Sequence, residues 1–443
     1  MKKNTKILYL VLVAILVTVV VWQYPKLNLI SGFAAKNMAS TVFLSDRTQE
    51  SVEDIDHDVP LVRLATSEYE ESSHSAFAKV YGLMKREAVC QEGVGCVLIN
   101  DEFEKRINFQ IPERHYETST LPYPYGNGNE IDTLFTNIDY RALSTAMDKT
   151  FNETAKTRTA LVLYKGHLLA ERYDDGFTKD TRILGWSMTK SVLATLYGIM
   201  EYQGKLSIND PVPLPSWQND DRKAITLNHL LRMQSGLAWE EDYTTISDVT
   251  KMLFSDTNMA VAQSTKNVVA PPTEIWNYSS GTSNLLSGIL RTKFINYQVY
   301  LNYPYKSLID KIGMHSMLLE TDLAGNFVGS SYGWANTRDW GKFGQLYLNK
   351  GNWNGTQLFD PSWVSYVSTP TKNSTGTYGA HFWLNAEGKY PDVPRDLYSA
   401  NGYQGQYVFI IPSKDLVIVR TGLAEEPEFD ANNFLSEIID AIQ

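Results

Sequence analysis

The sequence has very little cysteine, no excess of positive charge and no low-complexity segment. Its 443 residues include two cysteines and carry a net charge of −10. This charge argues against a nucleic-acid partner, because proteins that bind nucleic acid present clustered lysine and arginine, and no such stripe occurs. The chain also lacks zinc-ligand spacing and phosphate-binding glycine loops, so we expect no metal and no other cofactor. Its length predicts one large domain or two ordinary ones.

The two cysteines lie close together in the sequence. Cys90 and Cys96 flank a glycine-containing stretch that permits a tight loop. In an oxidising compartment this spacing favours a local disulfide. Two buried free thiols are the alternative.

The amino-terminal segment departs from the globular pattern. Three lysines at positions 2, 3 and 6 precede an apolar run over residues 7–22. Few small residues follow the run closely, which favours an uncleaved anchor over a cleaved signal peptide. The preceding positive charge predicts a single-pass protein of the cell membrane, with the rest of the chain on the outer side, periplasmic or extracellular. The membrane is therefore an expected partner, whereas the sequence gives no indication of oligomeric state.

The pattern after the anchor predicts an α+β fold. A Pro-rich stretch at 121–128 indicates a boundary, so we divide the chain into an anchor at 1–30, an irregular extension at 31–130 and a main domain at 131–443. Strand-like runs predict one hairpin at 159–173 and a second at 407–421. Helical periodicity lies at 140–152, after residue 187, at 338–348 and at 432–442. Strands near both ends of the main domain predict one antiparallel sheet with a helical insertion.

The most informative motif is Ser187-Met188-Thr189-Lys190. Residues three apart share one face of a helix, so the hydroxyl of Ser187 and the amine of Lys190 are expected to lie side by side. Serine needs a base to become a nucleophile, and a desolvated lysine can serve as that base or as its electrostatic partner. A serine at the first turn would also direct its own amide toward a reacting carbonyl oxygen.

Three further segments give the motif a context: residues 225–237, Trp276–Gly281 and Asn401–Gln406. In this order and spacing the chain resembles the serine β-lactamase and penicillin-recognising superfamily, in its class C and esterase-like branch. It is most similar to 6-aminohexanoate-dimer hydrolase and related carboxylesterases. The resemblance covers residues 131–443 and implies a β-lactamase/transpeptidase-like antiparallel sheet flanked by helices.

The resemblance also implies catalytic roles. Ser187 takes the place of the acylated nucleophile and Lys190 that of its partner. Tyr278 matches the tyrosine of the Tyr-x-Asn or Tyr-x-Ser motif, where a neighbouring ammonium would favour the phenolate and let it act as a base and then as an acid. Ser280 takes the place of the Asn or Ser of that motif and is expected to bond to Lys190 or to the substrate.

The third motif departs from that of true lactamases, where it reads Lys-Thr-Gly. Tyr403, Gln404 and Gly405 stand in its place, and the resemblance implies that the amide of Gln406 joins the oxyanion hole. A neutral tyrosine in place of lysine favours uncharged esters or amides over carboxylate-bearing substrates. Tyr243 lies in a loop that borders the substrate in the dimer hydrolases, although a solvated loop is the alternative.

Three other functions are considered. The first is a β-lactamase or D-Ala-D-Ala peptidase, and the second is a catalytically silent binding protein of the cell envelope. The third is an α/β-hydrolase whose nucleophile lies in Gly329–Gly333, a Gly-x-Ser-x-Gly match with only His381 downstream as a histidine. The predicted function is therefore a serine hydrolase that acts through an acyl-enzyme on a small ester or amide, such as a carboxylesterase or an amidase that cleaves 6-aminohexanoate oligomers.

Overall fold

A computed structural model describes residues 2–100, 110–116, 119–128, 133–424 and 428–442. The α-helices in these residues are α1 (Lys2–Ser45), α2 (Gln49–Ser51), α3 (Tyr140–Lys149), α4 (Met188–Tyr202), α5 (Leu227–Leu231), α6 (Asp248–Ser255), α7 (Ser280–Arg291), α8 (Tyr297–Pro304), α9 (Thr337–Leu348), α10 (Ser362–Ser368) and α11 (Ala431–Asp440). The strands are β1 (Ala65–Glu70), β2 (Ser75–Val80), β3 (Leu83–Gln91), β4 (Gly95–Leu98), β5 (Thr157–Tyr164), β6 (His167–Tyr173), β7 (Ile183–Leu184), β8 (Leu318–Leu319), β9 (Gly333–Ala335), β10 (Asn352–Trp353), β11 (Thr356–Gln357), β12 (Trp383–Leu384), β13 (Tyr398–Gly402), β14 (Gln406–Ile411) and β15 (Leu416–Gly422).

The chain divides into two compact units. The first comprises Met1–Gln91, Cys96–Lys105 and Glu240–Thr257, and the second comprises Glu92–Gly95, Arg106–Trp239 and Asn258–Gln443. The functional division at residues 30 and 130 that the sequence indicates stays a prediction.

The first unit contains a sheet with the strand order β1-β2-β3-β4. The sequence predicts an irregular extension here, and that prediction is wrong for residues 65–98. Strand β2 alternates buried and partly buried side chains only toward its end, and β1 is mostly exposed, so the alternation that marks a strand is weak in the sequence. A disulfide joins Cys90 to Cys96, which decides between the two alternatives that the sequence left open.

Helix α1 is longer than the apolar run that it contains. It continues from Lys2 through Pro25 to Ser45, and its second half packs against the sheet of the first unit. Within the residues that the structure describes, no helix is both long and apolar enough to cross a bilayer. The prediction of a transmembrane helix therefore receives no support from the structure.

The second unit is built on a six-stranded sheet with the order β12-β13-β14-β15-β5-β6. The neighbouring strands are antiparallel, so strands from the two ends of the main domain meet at the pair formed by β15 and β5. The predicted α+β fold with an antiparallel sheet is confirmed.

The two faces of this sheet bury two different hydrophobic cores. Leu161 and Leu163 of β5 point into the core formed with α4 and α9, whereas Ala160 and Val162 point into the core formed with α3 and α11. This alternation follows from the two-residue period of a strand. Because the sheet is covered on both faces, its central strands β5 and β15 are buried along their whole length and contain continuous apolar runs.

A small three-stranded sheet, ordered β7-β9-β8, holds the chain just before helix α4 begins. Its strand β7 pairs with β9 through Ile183 and Leu184, and the amide of Gly185 donates to the carbonyl oxygen of Gly333 at 2.8 Å. The chain therefore enters α4 from a fixed position, three residues after β7 ends.

Candidate active site

Ser187 occupies the N-cap position of helix α4. The amides of Met188 and Thr189 donate to the carbonyl oxygens of Gly185 and Trp186, at 3.1 and 3.0 Å. The hydroxyl of Ser187 makes no capping bond of its own, unlike most serines at this position. The local fold thus satisfies the first turn of α4 with main-chain groups and leaves the hydroxyl available for chemistry.

Lys190 lies one turn further along α4 and is almost completely buried, with 1% of its surface exposed. Its Nζ is 2.9 Å from Ser187 Oγ, 2.9 Å from Ser280 Oγ and 2.9 Å from the carbonyl oxygen of Ser330. An ammonium group has three N–H donors, and these three acceptors match that number. The lysine therefore joins three segments that are far apart in the sequence.

The second motif contributes two of its residues to this cluster. Ser280 is the first residue of α7 and is fully buried, and its hydroxyl accepts from Lys190. Tyr278 lies two residues earlier and is half-buried, with its ring centroid 4.9 Å from Lys190 Nζ. The structure thus brings Ser187, Lys190, Tyr278 and Ser280 together, as the spacing of the motifs predicts.

The third motif forms the turn between β13 and β14. Gly402 pairs with Gln406 across this turn, and a Cβ atom on Gly402 would lie only 2.1 Å from the carbonyl oxygen of Gly185. Only a glycine permits such a close approach of the strand to the backbone that leads into Ser187. The ring of Tyr403 stacks edge-on against Trp186, with centroids 5.6 Å apart.

The profile of the Beta-lactamase family matches residues 151–434, a range that holds all of these motifs. The chain belongs to this family. The resemblance inferred from the motifs is therefore confirmed. The chain has the fold of the β-lactamase-like serine hydrolases, a family whose members include esterases, amidases and β-lactamases.

Three solved structures share this fold with the chain at low sequence identity. A candidate 6-aminohexanoate-dimer hydrolase from Bacillus anthracis is 20% identical, with a TM-score of 0.58 over 71% of this chain and 87% of that one. A candidate β-lactamase from Bacteroides dorei DSM 17855 is 17% identical, with a TM-score of 0.56 over 69% and 99%. A family VIII carboxylesterase is 14% identical, with a TM-score of 0.55 over 68% and 96%. A search of curated proteins found no match. These likenesses establish the fold and leave the substrate open.

Beneath the third motif of this β-lactamase-family chain lies a buried arginine. Arg420 on β15 is fully buried and donates to the carbonyl oxygen of Gly405 at 2.6 Å, to Thr157 Oγ1 at 3.1 Å and to the carbonyl oxygen of Ala155. Burial lowers the pKa of its guanidinium to about 9. Sequence analysis missed this residue, because nothing in its local pattern distinguishes it from a surface arginine.

The side chain of Gln406 has a structural contact of its own. Its Nε2 donates to the carbonyl oxygens of Tyr403 and Gly422, at 3.0 and 2.6 Å, and its Oε1 accepts from the amide of Gly422 at 3.1 Å. These bonds fix the turn that carries Tyr403 and Gly405. Whether the backbone amide of Gln406 serves an oxyanion, as the resemblance implies, stays a prediction.

An aromatic wall stands beside Tyr278. Tyr378 and Trp383 contact each other and both Trp276 and Tyr278, with ring centroids 5.1–6.3 Å apart. Trp276 and Tyr278 come from the second motif, whereas Tyr378 and Trp383 come from a segment a hundred residues later. The sequence gives no local signal for the second pair.

His381 connects the two helices of the site. Its Nδ1 donates to the carbonyl oxygen of Leu231 at 2.7 Å, so its Nε2 is left as the acceptor for Ser283 Oγ on α7 at 3.0 Å. Its own carbonyl oxygen accepts from Ser191 Oγ on α4 at 2.6 Å. Complete burial, reinforced by the nearby charge of Lys190, lowers its pKa to about 3, so the imidazole is neutral.

The α/β-hydrolase alternative fails on local structure. Ser331 lies in a turn between β8 and β9, and its hydroxyl is 2.9 Å from that of Ser330. A nucleophile elbow needs a strand directly before the serine and a helix directly after it, whereas the next element here is the strand β9. The histidine that this alternative required, His381, is engaged by Ser283 and Leu231. The segment instead supplies the carbonyl oxygen of Ser330 to Lys190.

Tyr243 belongs to the first unit, and its hydroxyl donates to Glu241 at 3.3 Å. Its predicted contact with substrate stays a prediction.

Proposed function

We propose that this chain is a serine hydrolase that cleaves uncharged esters or amides through an acyl-enzyme at Ser187. The observation that carries the proposal is the position of Lys190 Nζ, 2.9 Å from both Ser187 Oγ and Ser280 Oγ and 4.9 Å from the centroid of the Tyr278 ring. A nucleophile, a cation and a phenol in one cluster are the components that acyl transfer needs.

The proposed role of Lys190 is electrostatic. Its three acceptors suit an ammonium group, and one of them, the carbonyl oxygen of Ser330, can only accept. A cation in this position stabilises a phenolate at Tyr278. In this scheme the base is Tyr278, and Lys190 holds Ser187 in place while it balances the negative charge.

In the acylation step one proton moves from Ser187 to Tyr278 and from there to the leaving group. Ser187 Oγ attacks the substrate carbonyl carbon while its proton passes to the phenolate of Tyr278. The bond from that carbon to the leaving oxygen or nitrogen then breaks, and the proton passes from Tyr278 to the leaving group. Water repeats the sequence in deacylation and releases the acid with the free serine.

The oxyanion of the tetrahedral intermediate requires donors. We propose the amides of Ser187 and Gln406, because Ser187 is the N-cap of a helix of 15 residues and the turn before Gln406 lies against Gly185. The amino-terminal end of a helix carries a partial positive charge that favours an anion.

The preference for uncharged substrates rests on the cations around the third motif. Tyr403 replaces the lysine, and Arg420 is fully buried with its donors directed at carbonyl oxygens and a hydroxyl. Arg338 donates to both carboxylate oxygens of Glu171, at 2.8 and 2.5 Å. Gln406 begins β14 and Lys414 comes after its other end, so a strand length of about 17 Å separates the third motif from the segment that carries Lys414. None of these three side chains is placed to replace the missing lysine.

The aromatic wall supports the same substrate class. The rings of Trp276, Tyr278 and Trp383 are partly exposed, and Tyr278 lies against Lys190. Their apolar surface suits an apolar acyl chain or aryl group better than a charged one.

Covalent labelling tests the proposal. A fluorophosphonate should label the purified chain at Ser187, and Ser187→Ala should abolish both the label and ester hydrolysis while the circular dichroism spectrum stays unchanged. The matched control is Ser365→Ala on the exposed side of α10, which should keep both the label at Ser187 and ester hydrolysis. Undiminished hydrolysis by Ser187→Ala would disprove the assignment. An unlabelled but folded wild-type chain would instead favour the silent envelope-binding protein.

We also propose that residues 7–22 attach the chain to a membrane, with the hydrolase on the outer side. The support is the apolar composition of the run and the exposure of those of its side chains that the structure describes, for example Leu8 at 60% and Leu10 at 65%. Flotation of the purified chain with lipid vesicles, and analysis of the amino terminus of membrane-bound material, test the attachment. A mature chain that starts near Ala35 would show that the segment is a cleaved signal.

A further inference from the structure

The hairpin formed by β2 and β3 ends in an exposed apolar tip. Tyr81 is 72% exposed and Leu83 is 49% exposed, and the two flank Gly82. Tyr81 and Met84 adopt positive φ values of 51° and 52°, which bulky residues rarely do. The tip therefore holds two large apolar side chains in water at a conformational cost, which is characteristic of a surface that binds something.

Lysines stand directly behind this tip. The Nζ atoms of Lys79 and Lys85 lie 5.4 and 4.2 Å from the centre of the Phe77 ring, one from each strand. The side chain of Lys85 remains half exposed, and its Nζ lies 3.9 Å from Glu87 Oε2 at the outer limit of an ion pair. An apolar tip followed by lysines is the pattern of a segment that enters the interface of an anionic lipid layer.

Contacts with α1 show which way the tip points. At the base of the hairpin, the ring of His74 lies 5.5 Å from that of Phe43. Near the tip, Arg86 donates to Asn28 Oδ1 at 3.0 Å. Moving from the base of the hairpin to its tip thus follows α1 backwards, from residue 43 toward its amino terminus.

The same contacts give the level that the tip reaches. Leu83 is three residues beyond Arg86, which is about 10 Å along an extended strand. The same distance along a helix is about seven residues, so the tip reaches roughly the level of residue 21 of α1. This is where exposed apolar side chains begin on the helix, with Tyr24 at 41%, Val21 at 67% and Val17 at 54% exposed.

We propose that the tip of the β2–β3 hairpin and the exposed apolar part of α1 form one membrane-binding surface. Tyr81 and Leu83 enter the lipid interface beside α1, and Lys79 and Lys85 face anionic headgroups. The inference rests on the proposed membrane attachment of residues 7–22, but it does not require that α1 spans the bilayer. A lipid surface fits better than a second protein, because the apolar tip reaches the level at which the exposed apolar part of α1 begins. The two lysines lie on the opposite side of that level from the apolar part of α1.

Site-specific fluorescence on the full chain tests the proposal. Leu83→Cys carries an environment-sensitive fluorophore, and Ser72→Cys, at the base of the hairpin, is the matched control. Labelling without a reductant keeps the Cys90–Cys96 disulfide closed. On vesicles of phosphatidylcholine with phosphatidylglycerol, the label at position 83 should shift to shorter wavelength and be quenched by a lipid-borne quencher, and the label at position 72 should do neither.

The possible outcomes separate the two proposals. If the chain floats with the vesicles while the label at 83 stays as exposed to water as that at 72, the hairpin proposal is wrong and the attachment proposal stands. If the chain does not float, both are wrong. A shift at 83 that appears without lipid would indicate a protein contact and would also overturn the assignment. In addition, Lys79→Gln and Lys85→Gln should each weaken binding to the anionic vesicles about fivefold, whereas Lys414→Gln should not.

Discussion

Replacing Ser280 by Ala removes one of the three acceptors around Lys190. Ser280 is fully buried, so we expect that water does not easily replace its hydroxyl. A hydrogen bond to a charged group contributes about 1.5–3 kcal/mol. If that loss falls on the transition state, kcat/KM should drop about ten- to a hundredfold.

The matched control is Ser287→Ala on the same helix. Ser287 is also buried and donates to the carbonyl oxygen of Phe327 at 2.6 Å. Both variants lose one buried hydroxyl from α7, so both should unfold at somewhat lower temperature. Only Ser280→Ala should lose activity, because only Ser280 touches Lys190.

The assay is kcat/KM for p-nitrophenyl butyrate, measured beside a thermal unfolding curve for each variant. Lower activity in both variants, in proportion to their stabilities, would show that the effect is general weakening of α7. Wild-type kcat/KM in Ser280→Ala would refute the reasoning, because Lys190 would then work without that acceptor.

Three further predictions concern the same unit. Lys190→Ala and Tyr278→Phe should each lower kcat/KM by about 10² or more, and the double variant should be little worse than the worse single one; losses that multiply in full would show that the residues act independently. Burial lowers the pKa of His381 to about 3 in the folded chain, whereas an exposed histidine in the unfolded chain keeps a pKa of about 6.5. Between these two pH values the unfolded state therefore binds one proton more than the folded state. The free energy of unfolding should therefore fall as the pH drops from about 6.5 toward 3, by up to about 1.4 kcal/mol per pH unit from this residue. Urea unfolding should show a shallower acid dependence in His381→Gln than in the exposed-residue control His115→Gln, and equal slopes would contradict the prediction. Finally, p-nitrophenyl butyrate should exceed nitrocefin in kcat/KM, because loss of a charge-assisted contact to a carboxylate costs about ten- to a hundredfold. Faster nitrocefin turnover would favour a β-lactamase, and Lys389, whose Nζ lies 5.7 Å from the Trp383 ring, would be the first cation to replace.

The sequence by itself determined two hairpins of the main sheet and the proximity of Ser187 and Lys190. The hairpins at 159–173 and 407–421 appear as β5–β6 and β14–β15, because apolar residues bounded by turn residues specify strands locally. Ser187 and Lys190 had to share a helix face once α4 formed, since a spacing of three residues is nearly one helical turn. The order of the motifs then indicated the family, which the match over residues 151–434 confirms.

The sheet of the first unit escaped prediction for a physical reason. Its strand β1 is mostly exposed and β3 is mostly only partly buried, so their hydrophobic alternation is weak, and the sheet depends on packing against α1. The same dependence on distant contacts hid β13, whose pairing with β14 forms the turn of the third motif. Tertiary contacts of this kind are not written in any local pattern.

Only the tertiary structure decided what surrounds the reactive groups. The carbonyl oxygen of Ser330 reaches Lys190 from 140 residues away, and His381 connects α4 to α7 through Ser191 and Ser283. A carbonyl oxygen is present in every residue, so its use cannot be predicted from residue type. The buried Arg420 beneath the third motif is hidden for a related reason, because burial and partners are properties of the packed chain. The sequence thus determined which groups could react, and the packing of distant segments decided their charges, contacts and access to substrate.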